Sequence, residues 1–217
     1  MPYVNGDFQR VWPSKMIDRM IEMARNGEDF SCEVYPGSVP QYYQALNGIK
    51  IRGKNALVIG SISPWIEVIM LSHDVSMVHT LEYHQLNCDH PLIRTYQNRA
   101  ERDFPKKFDL VCSFSSIEHS GLGRYGEAID PKGDLKAMTE IYEVLKPKGQ
   151  ALIGIPVAES NFIDSNKHRF YTKEYLEKTL FKRFNIESAI PCPFGADAIR
   201  YEGYDWQNQP LFCLRRS

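Results

Sequence analysis

The sequence predicts an α/β fold with a mostly parallel, seven-stranded sheet, helices on both faces and one antiparallel strand at the C-terminal end. Continuously apolar runs at 55–60 and 108–114 are typical of strands buried on both faces. A helix-spaced segment at 135–145 follows such a run, which indicates a crossover between parallel strands. The last two strand-like runs, 185–191 and 210–216, have no strong helix between them. This ending predicts a closing strand pair, one of them antiparallel.

Turn and cap signals define the other elements. Ser63 and Pro64 fit the N-cap and first position of a helix, and Thr172 fits a second N-cap. Residues 146–149 (KPKG) are expected to end the helix before them. The predicted helices are 13–27, about 41–46, 63–73, 135–145 and 173–181, and the predicted strands are 55–60, 77–83, 92–96, 108–114, 150–157, 185–191 and 210–216.

Length and charge restrict the class of protein. The 217 residues suit one well-covered domain, so we expect residues 1–54 to form a helical and loop extension packed on a core of residues 55–217. A formal net charge of -1 gives no support to nucleic-acid binding or to a polybasic membrane surface. No apolar run approaches the roughly 20 residues of a membrane span, and the first residues lack a signal-peptide core. We expect a cytoplasmic protein, or a lumenal one if the chain is trimmed.

The cysteines give no sign of a metal site or a disulfide framework. There are 5 of them, scattered along the chain and never in a C-x-x-C arrangement. An odd, irregularly spaced set is not the pattern of structural zinc or of a stapled secreted domain. We therefore assign no metal and no disulfide from the cysteines.

Several segments resemble a known family. FDLVCSFSSIEH (108–119) and LKPKGQALIGIPV (145–157) resemble the fourth- and fifth-strand signatures of class I S-adenosylmethionine-dependent methyltransferases, which have a Rossmann-like fold. EHSGLGRYGEAIDPKGDL (118–135) and NKHRFYTKEYL (166–176) are similar to a narrower group, the DUF268 family of nematodes and bacteria. The resemblance covers roughly residues 50–190. It implies a sugar-modifying methyltransferase that uses S-adenosylmethionine.

The resemblance also implies where the cofactor binds. The backbone of Gly60 and Ser61, after the first core strand, would face the amino-acid part of S-adenosylmethionine near a helix N-terminus. Glu82, at the end of the second core strand, would accept hydrogen bonds from both ribose hydroxyls. Tyr83 and Ser115 complete the implied cofactor set. Gly60 could instead serve only a tight turn, and Glu82 could be a solvated charge at a strand end.

The first loop departs from the family pattern. Methyltransferases usually have an acid followed by three alternating glycines there. In this chain Val58 stands at the acid position, and of the glycine positions only Gly60 is kept, with Ile62 and Pro64 at the others. Glycines have no side chain, so a cofactor can come close to the backbone, and they readily adopt positive φ. Their loss leaves less room for a cofactor beside this loop.

Three residues are candidates for the chemistry. Glu118 and His119 follow the fourth core strand, at the edge of the expected cleft. His119 titrates near neutral pH when unperturbed, so it could remove a proton from an acceptor hydroxyl, or it could only line the site. His168, after the fifth core strand, is the competing candidate base.

A long loop at 121–134 mixes charged, aromatic and acceptor side chains, which suits a hydroxyl-rich acceptor. Asp134 could bind the acceptor or cap the next helix, and a metal held by Asp130 and Asp134 is a minor alternative. The polar segment before Thr172 could bind an anion or form an ordinary turn. The candidate acceptor residues are Arg124, Tyr125, Asp130, Asp134, Arg169 and Tyr171.

The sequence supports two hypotheses of different kinds. The first is an O-methyltransferase that transfers a methyl group from S-adenosylmethionine to a hydroxyl of a small molecule, sugar or glycan. The second is a non-catalytic relative that binds or scaffolds, suggested by the glycine-poor loop. A nicotinamide-dependent dehydrogenase is disfavoured because the first loop lacks G-x-G-x-x-G. The oligomeric state stays open.

Overall fold

The computed structural model describes residues 10–28, 30, 35–97, 99–101, 103–164, 167–193 and 209–217. Within these ranges the strands form one large sheet and two small two-stranded sheets. The strands are Arg10–Trp12 (β1), Asn55–Ile59 (β2), Met77–Leu81 (β3), Leu86–Cys88 (β4), Ile93–Tyr96 (β5), Phe108–Phe114 (β6), Leu145–Gly154 (β7), Phe162–Asp164 (β8), His168–Phe170 (β9), Phe184–Ile190 (β10) and Leu211–Arg216 (β11).

The large sheet has the predicted number of strands and is mostly parallel. Its order is β10-β11-β7-β6-β2-β3-β5. Strands β5, β3, β2, β6 and β7 pair in parallel, and β11 pairs antiparallel with both β7 and β10. The prediction of a seven-stranded, mostly parallel sheet with one antiparallel C-terminal strand is therefore confirmed.

Helices cover both faces of this sheet. They are Ser14–Arg25 (α1), Ser38–Leu46 (α2), Trp65–Ser72 (α3), Gly133–Val144 (α4) and Lys173–Tyr175 (α5), and a π-helical turn, Leu176–Leu180, continues α5. No helix within the described ranges is long and apolar enough to cross a membrane.

Two hydrophobic clusters lie on opposite faces of the sheet because successive strand side chains point to opposite sides. In β2, Val58 belongs to the cluster that α1, α2 and α3 cover, whereas Leu57 belongs to the cluster under α4. In β6, Cys112 and Val111 divide in the same way. The described part of residues 1–54 thus shares a continuous core with the sheet. Its Tyr42 ring meets the Trp65 ring edge to face, with centroids 5.2 Å apart.

The start of α3 differs from the prediction. The helix begins at Trp65, with Pro64 in the N-cap position and no capping bond from a side chain. Ser63 is not the N-cap; its carbonyl instead accepts a hydrogen bond from the Ser61 hydroxyl. The prediction for Thr172 is confirmed, since its side chain accepts from the Tyr175 N–H at 3.2 Å.

The segment 146–149 also differs from the prediction. It was expected to end the preceding helix, and α4 does end just before it, at Val144, but these residues already belong to β7, which was predicted to begin at Gln150. The register between β6 and β7 shifts, from Phe108 opposite Leu145 to Leu110 opposite Gln150. A bulge therefore absorbs the extra residues, and Lys148 takes a positive φ of 62° within it. The short strands β1, β4, β8 and β9 were not predicted, because three-residue strands carry almost no periodicity.

Gly154 offers a test of this packing. A Cβ built on Gly154 would overlap the ring of Phe114, which also packs against Trp65 with ring centroids 5.5 Å apart. We expect Gly154→Ala to lower the free energy of unfolding by about 1–3 kcal/mol through overpacking. The control is Gly48→Ala, where a Cβ would meet no atom within 4 Å, with an expected change below about 0.5 kcal/mol. Equal urea midpoints for the two variants would contradict the tight packing at Gly154.

Candidate functional site

A cavity of about 330 Å³ opens at the carboxyl ends of the central strands. The chain runs outward from β2 to β3 and β5 on one side, then returns to β6 and β7 on the other. The order thus reverses between β2 and β6, and ligands of open α/β sheets bind at such switch points. The predicted site residues on the cavity wall are Gly60, Glu82, Tyr83, Ser115, His119 and Tyr125.

Gly60 forms the turn at the centre of this wall. Its φ is +76°, and a Cβ would overlap the Ser116 side chain, which follows β6. The Gly60 N–H donates to the Leu81 carbonyl at the end of β3. Any other residue would be strained here and would push the ends of β2 and β6 apart. The local geometry therefore requires this glycine whether or not a cofactor binds.

Glu82 stands at the cavity directly after β3. Its Oε1 accepts a hydrogen bond from the His84 N–H at 3.3 Å. Burial raises the pKa of Glu82, and His84 and the Arg10 guanidinium partly oppose this shift. Arg10 also lines the cavity, and its Nη1 is buried without a hydrogen-bond partner among the described residues. No sequence pattern indicates a role for Arg10, because its position depends on the pairing of β1 with β4.

On the cavity wall, Ser115 joins the segment after β6 to the segment before β11. Its hydroxyl donates to Glu118 Oε1 at 2.9 Å and accepts from the Gln209 side-chain amide at 2.9 Å. Glu118 is fully buried and does not reach the cavity wall. Burial raises the pKa of Glu118 to about 7, although the Ser115 hydrogen bond and Arg124 favour its charged form. Gln209 was not predicted, since the sequence gives no sign that residues 94 positions apart meet.

His119 does not have the ionisation that the sequence suggested. Its ring is 3 % exposed, Nδ1 contacts the Lys167 carbonyl, and Nε2 lies 3.5 Å from Glu118 Oε1. A carbonyl only accepts, so Nδ1 carries the hydrogen and Nε2 is the free base. Burial, with His168 and Arg124 adding to it, lowers the pKa of His119 to about 3. The expectation of a histidine that titrates near neutral pH was therefore wrong.

His168 is a neighbour of His119 and does not line the cavity. The two ring centroids are 4.6 Å apart, and Arg124 Nη1 lies 3.3 Å from His168 Nε2. Burial and the Arg124 charge lower the pKa of His168 to about 4. The structure thus brings the two candidate histidines together, and the Arg124 guanidinium lies close to both rings.

Most other candidate acceptor residues are engaged in holding the long loop. Arg169 is 5 % exposed and donates to the carbonyls of Glu118, Ser120 and Asp130 at 3.2, 2.6 and 3.3 Å. Five N–H donors in a planar fork suit this task. Asp130 also pairs with Lys136 at 2.5 Å. These contacts do not bring Arg169 or Asp130 to the cavity wall.

Asp134 and Tyr171 form a buried pair under the same loop. Tyr171 donates its hydroxyl to Asp134 Oδ2 at 3.1 Å, and Asp134 Oδ1 accepts from the Leu135 N–H at 2.9 Å. Because α4 begins at Gly133 after Lys132, Asp134 lies in the first turn and is not the N-cap. No group of three or more potential metal ligands occurs within the described ranges.

An aromatic rim surrounds the cavity mouth. We use this name for Tyr83, His84, His119 and Tyr125. The rings of Tyr83 and Tyr125 are nearly parallel, with centroids 6.4 Å apart, and His119 meets Tyr125 edge to face at 5.8 Å. Tyr83 is 59 % exposed. The rim joins the loop after β3 to the loop after β6, and was not predicted as a unit. The other wall residues absent from the prediction are Arg10, Tyr35, Ile62, Ser63, Trp65, Phe114, Ser116 and Ser120.

Solved structures of methyltransferases share this fold. The Burkholderia thailandensis 1,6-didemethyltoxoflavin-N1-methyltransferase, with bound 1,6-didemethyltoxoflavin and S-adenosylhomocysteine, is 13% identical, with a TM-score of 0.56 over 93% of this chain and 87% of that one. The N-methyltransferase NodS of Bradyrhizobium japonicum WM9, in complex with S-adenosylhomocysteine, is 13% identical, with a TM-score of 0.53 over 94% of this chain and 97% of that one. At this identity the likeness establishes the fold alone. The chain has the Rossmann-like fold of class I S-adenosylmethionine-dependent methyltransferases.

The family is established by the sequence itself. Residues 53–190, well over half of the chain, match the family described as "Caenorhabditis protein of unknown function, DUF268". The protein belongs to the DUF268 family. No curated protein matches the sequence. The resemblance seen in the strand and loop segments is therefore confirmed, and the matched region contains every wall residue from Gly60 to Tyr125.

The two histidines give a test of the site's electrostatics. Folding lowers the pKa of His119 to about 3 and of His168 to about 4 from the usual 6.5. We expect both rings to be neutral at about pH 5.5 in nitrogen NMR spectra of the folded protein. The folded state then binds fewer protons than the unfolded state, so this stability is present above pH 6.5 and is lost as the pH falls through the folded-state values. A charged His119 ring at about pH 5.5 would contradict the burial described here.

Proposed function

We propose that the protein is an S-adenosylmethionine-dependent O-methyltransferase acting on a hydroxyl of a sugar or glycan. One observation carries the proposal: the cavity lies at the switch point, between Gly60 after β2, Glu82 after β3 and Ser115 after β6. One cavity of about 330 Å³ is thus lined by the Gly60 turn, where the backbone is accessible, by the Glu82 carboxylate and by the Ser115 hydroxyl. These are the features that an extended cofactor with an amino-acid end and a ribose requires.

In the proposed complex, the turn at Gly60 faces the amino-acid end of the cofactor and Glu82 accepts from the ribose hydroxyls. Glu82 is suited to this because a carboxylate can accept from two hydroxyls. Arg10 lies beside Glu82 and keeps a positive charge near the carboxylate, which favours its ionised form. Tyr83 and Ser115 are proposed as further cofactor contacts, and Ser61 acts from behind the wall.

The acceptor would enter over the aromatic rim. Aromatic faces pack well against the apolar face of a ring, and Tyr83 and Tyr125 present such faces at the cavity mouth. The sugar class comes from the family resemblance, and the rim supports a ring-shaped acceptor. Methyl transfer is an in-line displacement at the sulfonium methyl, to which the protein contributes orientation.

His119 is proposed as an orienting residue and not as the general base. A base is most effective when its pKa lies near the working pH. With a pKa of about 3, His119 has little affinity for an acceptor proton. The acceptor proton would then leave to water after the methyl group arrives.

The cofactor proposal is tested with S-adenosylhomocysteine. Calorimetry should detect binding to the wild type, and Glu82→Ala should weaken it by about 1–3 kcal/mol because the ribose hydroxyls lose a charged acceptor. The matched control is Glu22→Ala, an exposed acid on α1 far from the cavity, which should leave affinity unchanged. A wild type with no detectable binding at millimolar ligand would refute the proposed function.

The role of His119 is tested on turnover. A sugar panel is screened for release of S-adenosylhomocysteine, and His119→Asn is compared with His168→Asn on the same acceptor. The Asn amide can still donate to the Lys167 carbonyl, so we expect turnover within about tenfold of the wild type. A general base would instead cost about a hundredfold to ten-thousandfold. A loss of that size in His119→Asn, with cofactor affinity kept, would make His119 the base.

The second candidate is a non-catalytic module that binds a ligand in the same cavity. The observation that favours it is that burial lowers the pKa of His119, the predicted base on the cavity wall, to about 3. The glycine-poor loop with Ile62 and Pro64 points the same way. Tight S-adenosylhomocysteine binding without turnover on any acceptor of the panel would favour this candidate.

A further inference from the structure

Glu67 is a fully buried acid in the first turn of α3, behind the wall of the cavity. It occupies the third helical position, from which a glutamate commonly reaches back to the N-cap backbone N–H. The N-cap residue here is Pro64, which has no N–H to offer. The Glu67 carboxyl therefore turns to side chains for its partners.

Those partners are two buried hydroxyls. Thr80 Oγ1, on β3, donates to Glu67 Oε1 at 2.8 Å, and Ser61 Oγ lies 3.0 Å from Glu67 Oε2. Ser61 Oγ also lies 2.9 Å from the Ser63 carbonyl oxygen. Ser61 and Thr80 are 2 % and 0 % exposed, so both hydroxyls are removed from bulk solvent.

The number of hydrogens determines how this network is arranged. The Ser61 hydroxyl has one hydrogen and two neighbouring oxygens, and the Ser63 carbonyl can only accept. If Glu67 were charged, its Oε2 and the Ser63 carbonyl oxygen could both only accept. One of the two contacts of the Ser61 hydroxyl would then lack a hydrogen. If Glu67 Oε2 carries a proton, it donates to Ser61 Oγ and Ser61 donates to Ser63. Every contact then has its hydrogen.

The charges around Glu67 agree with a neutral carboxyl. The groups that act on it electrostatically, or on which it acts, are Glu82 after β3, Tyr42 on α2, and Cys88 and Cys112 on β4 and β6. None of these is a cation. Burial raises the pKa of Glu67 to about 7, although its own backbone N–H and the two hydroxyls favour the charged form.

We propose that Glu67 is a positioning residue which, in its protonated form, holds the first loop in the shape that the cavity requires. The loop lacks the acid and two of the glycines usual in methyltransferases, with Val58, Ile62 and Pro64 in their places. The loop lacks a carboxyl at Val58, and Glu67 supplies one to the loop from the first turn of α3. Through Ser61 it fixes Ser63, and Ile62 and Ser63 both line the cavity. The consequence for cofactor binding rests on the proposed function.

The proposal predicts a pH dependence with a definite sign. The folded protein holds the Glu67 proton up to a pKa of about 7, against 4.5 for an ordinary glutamate. The folded state binds more protons than the unfolded state between these values. The stability that Glu67 contributes is therefore complete below pH 4.5 and is lost as the pH rises through 7.

The experiment uses three variants and a control. Glu67→Gln keeps one acceptor for Thr80 and one N–H donor for Ser61 and cannot ionise. Glu67→Leu removes both, and Ser61→Ala removes only the bridge to Ser63. Glu22→Gln makes the same charge change on the exposed face of α1. Melting temperatures are measured without ligand at about pH 5.5 and 8.5, and S-adenosylhomocysteine affinity by calorimetry at about pH 6.5.

We expect the melting temperature of Glu67→Gln, relative to wild type, to rise by at least about 3 °C between the two pH values, with no such change for Glu22→Gln. Glu67→Gln should bind S-adenosylhomocysteine within about threefold of the wild type. Ser61→Ala, and Glu67→Leu if it folds, should bind at least about tenfold more weakly, because the loop loses its support.

Two results would overturn the proposal. If the melting-temperature difference between Glu67→Gln and the wild type is the same at both pH values, Glu67 is not held protonated. Wild-type affinity in Ser61→Ala would mean that the network does not position the loop. If the wild type itself binds no S-adenosylhomocysteine, the proposed function fails, and amide exchange of residues 60–66 then tests the loop. Equal protection in wild type and Ser61→Ala would overturn the positioning role.

Discussion

The close approach of two turns, one after β2 and one after β6, is the constraint on which the site depends. Parallel pairing holds β2 and β6 side by side, and the reversal of strand order between them leaves their carboxyl ends uncovered by a crossover helix. The two turns meet where Gly60 leaves no room for a side chain against Ser116. Gly60, Ser115 and Ser116 all line the cavity that opens beside this contact.

Burial is the largest cause of the pKa shifts around the cavity. It acts in opposite directions on acids and bases, because it disfavours the charged form of each. The pKa of Glu67 and of Glu118 rises to about 7, and the pKa of His119 falls to about 3. Burial thus favours the uncharged forms of these three groups, whereas Arg10 and Glu82, ionisable side chains of opposite sign, lie on the cavity wall itself. In the proposed function, this arrangement favours orientation of the reactants over proton abstraction.

The candidate site was partly predictable, for reasons visible in particular residues. Gly60 and Glu82 were predicted at the site, and line the cavity, because each stands at the end of a predicted strand of the parallel sheet. Arg169, Asp134 and Tyr171 have the chemistry of binding residues, yet they hold the loop from within. Residue type and sequence position do not distinguish these roles. What separates them is whether the side chain faces the cavity or the protein interior. That depends on contacts between β9 and the loop, such as those of Arg169 with the loop carbonyls.

The sequence by itself determined the fold class, the mostly parallel seven-stranded sheet and the antiparallel ending, because these depend on local periodicity and on the alternation of strands with helices. It also carried the family membership, through the strand and loop segments within residues 53–190. Only the tertiary structure decided the partners of Glu67 and Ser115, the neutral state of His119 and the presence of Arg10 at the cavity. Those properties depend on desolvation and on contacts between residues far apart in the chain, and neither leaves a pattern in the sequence.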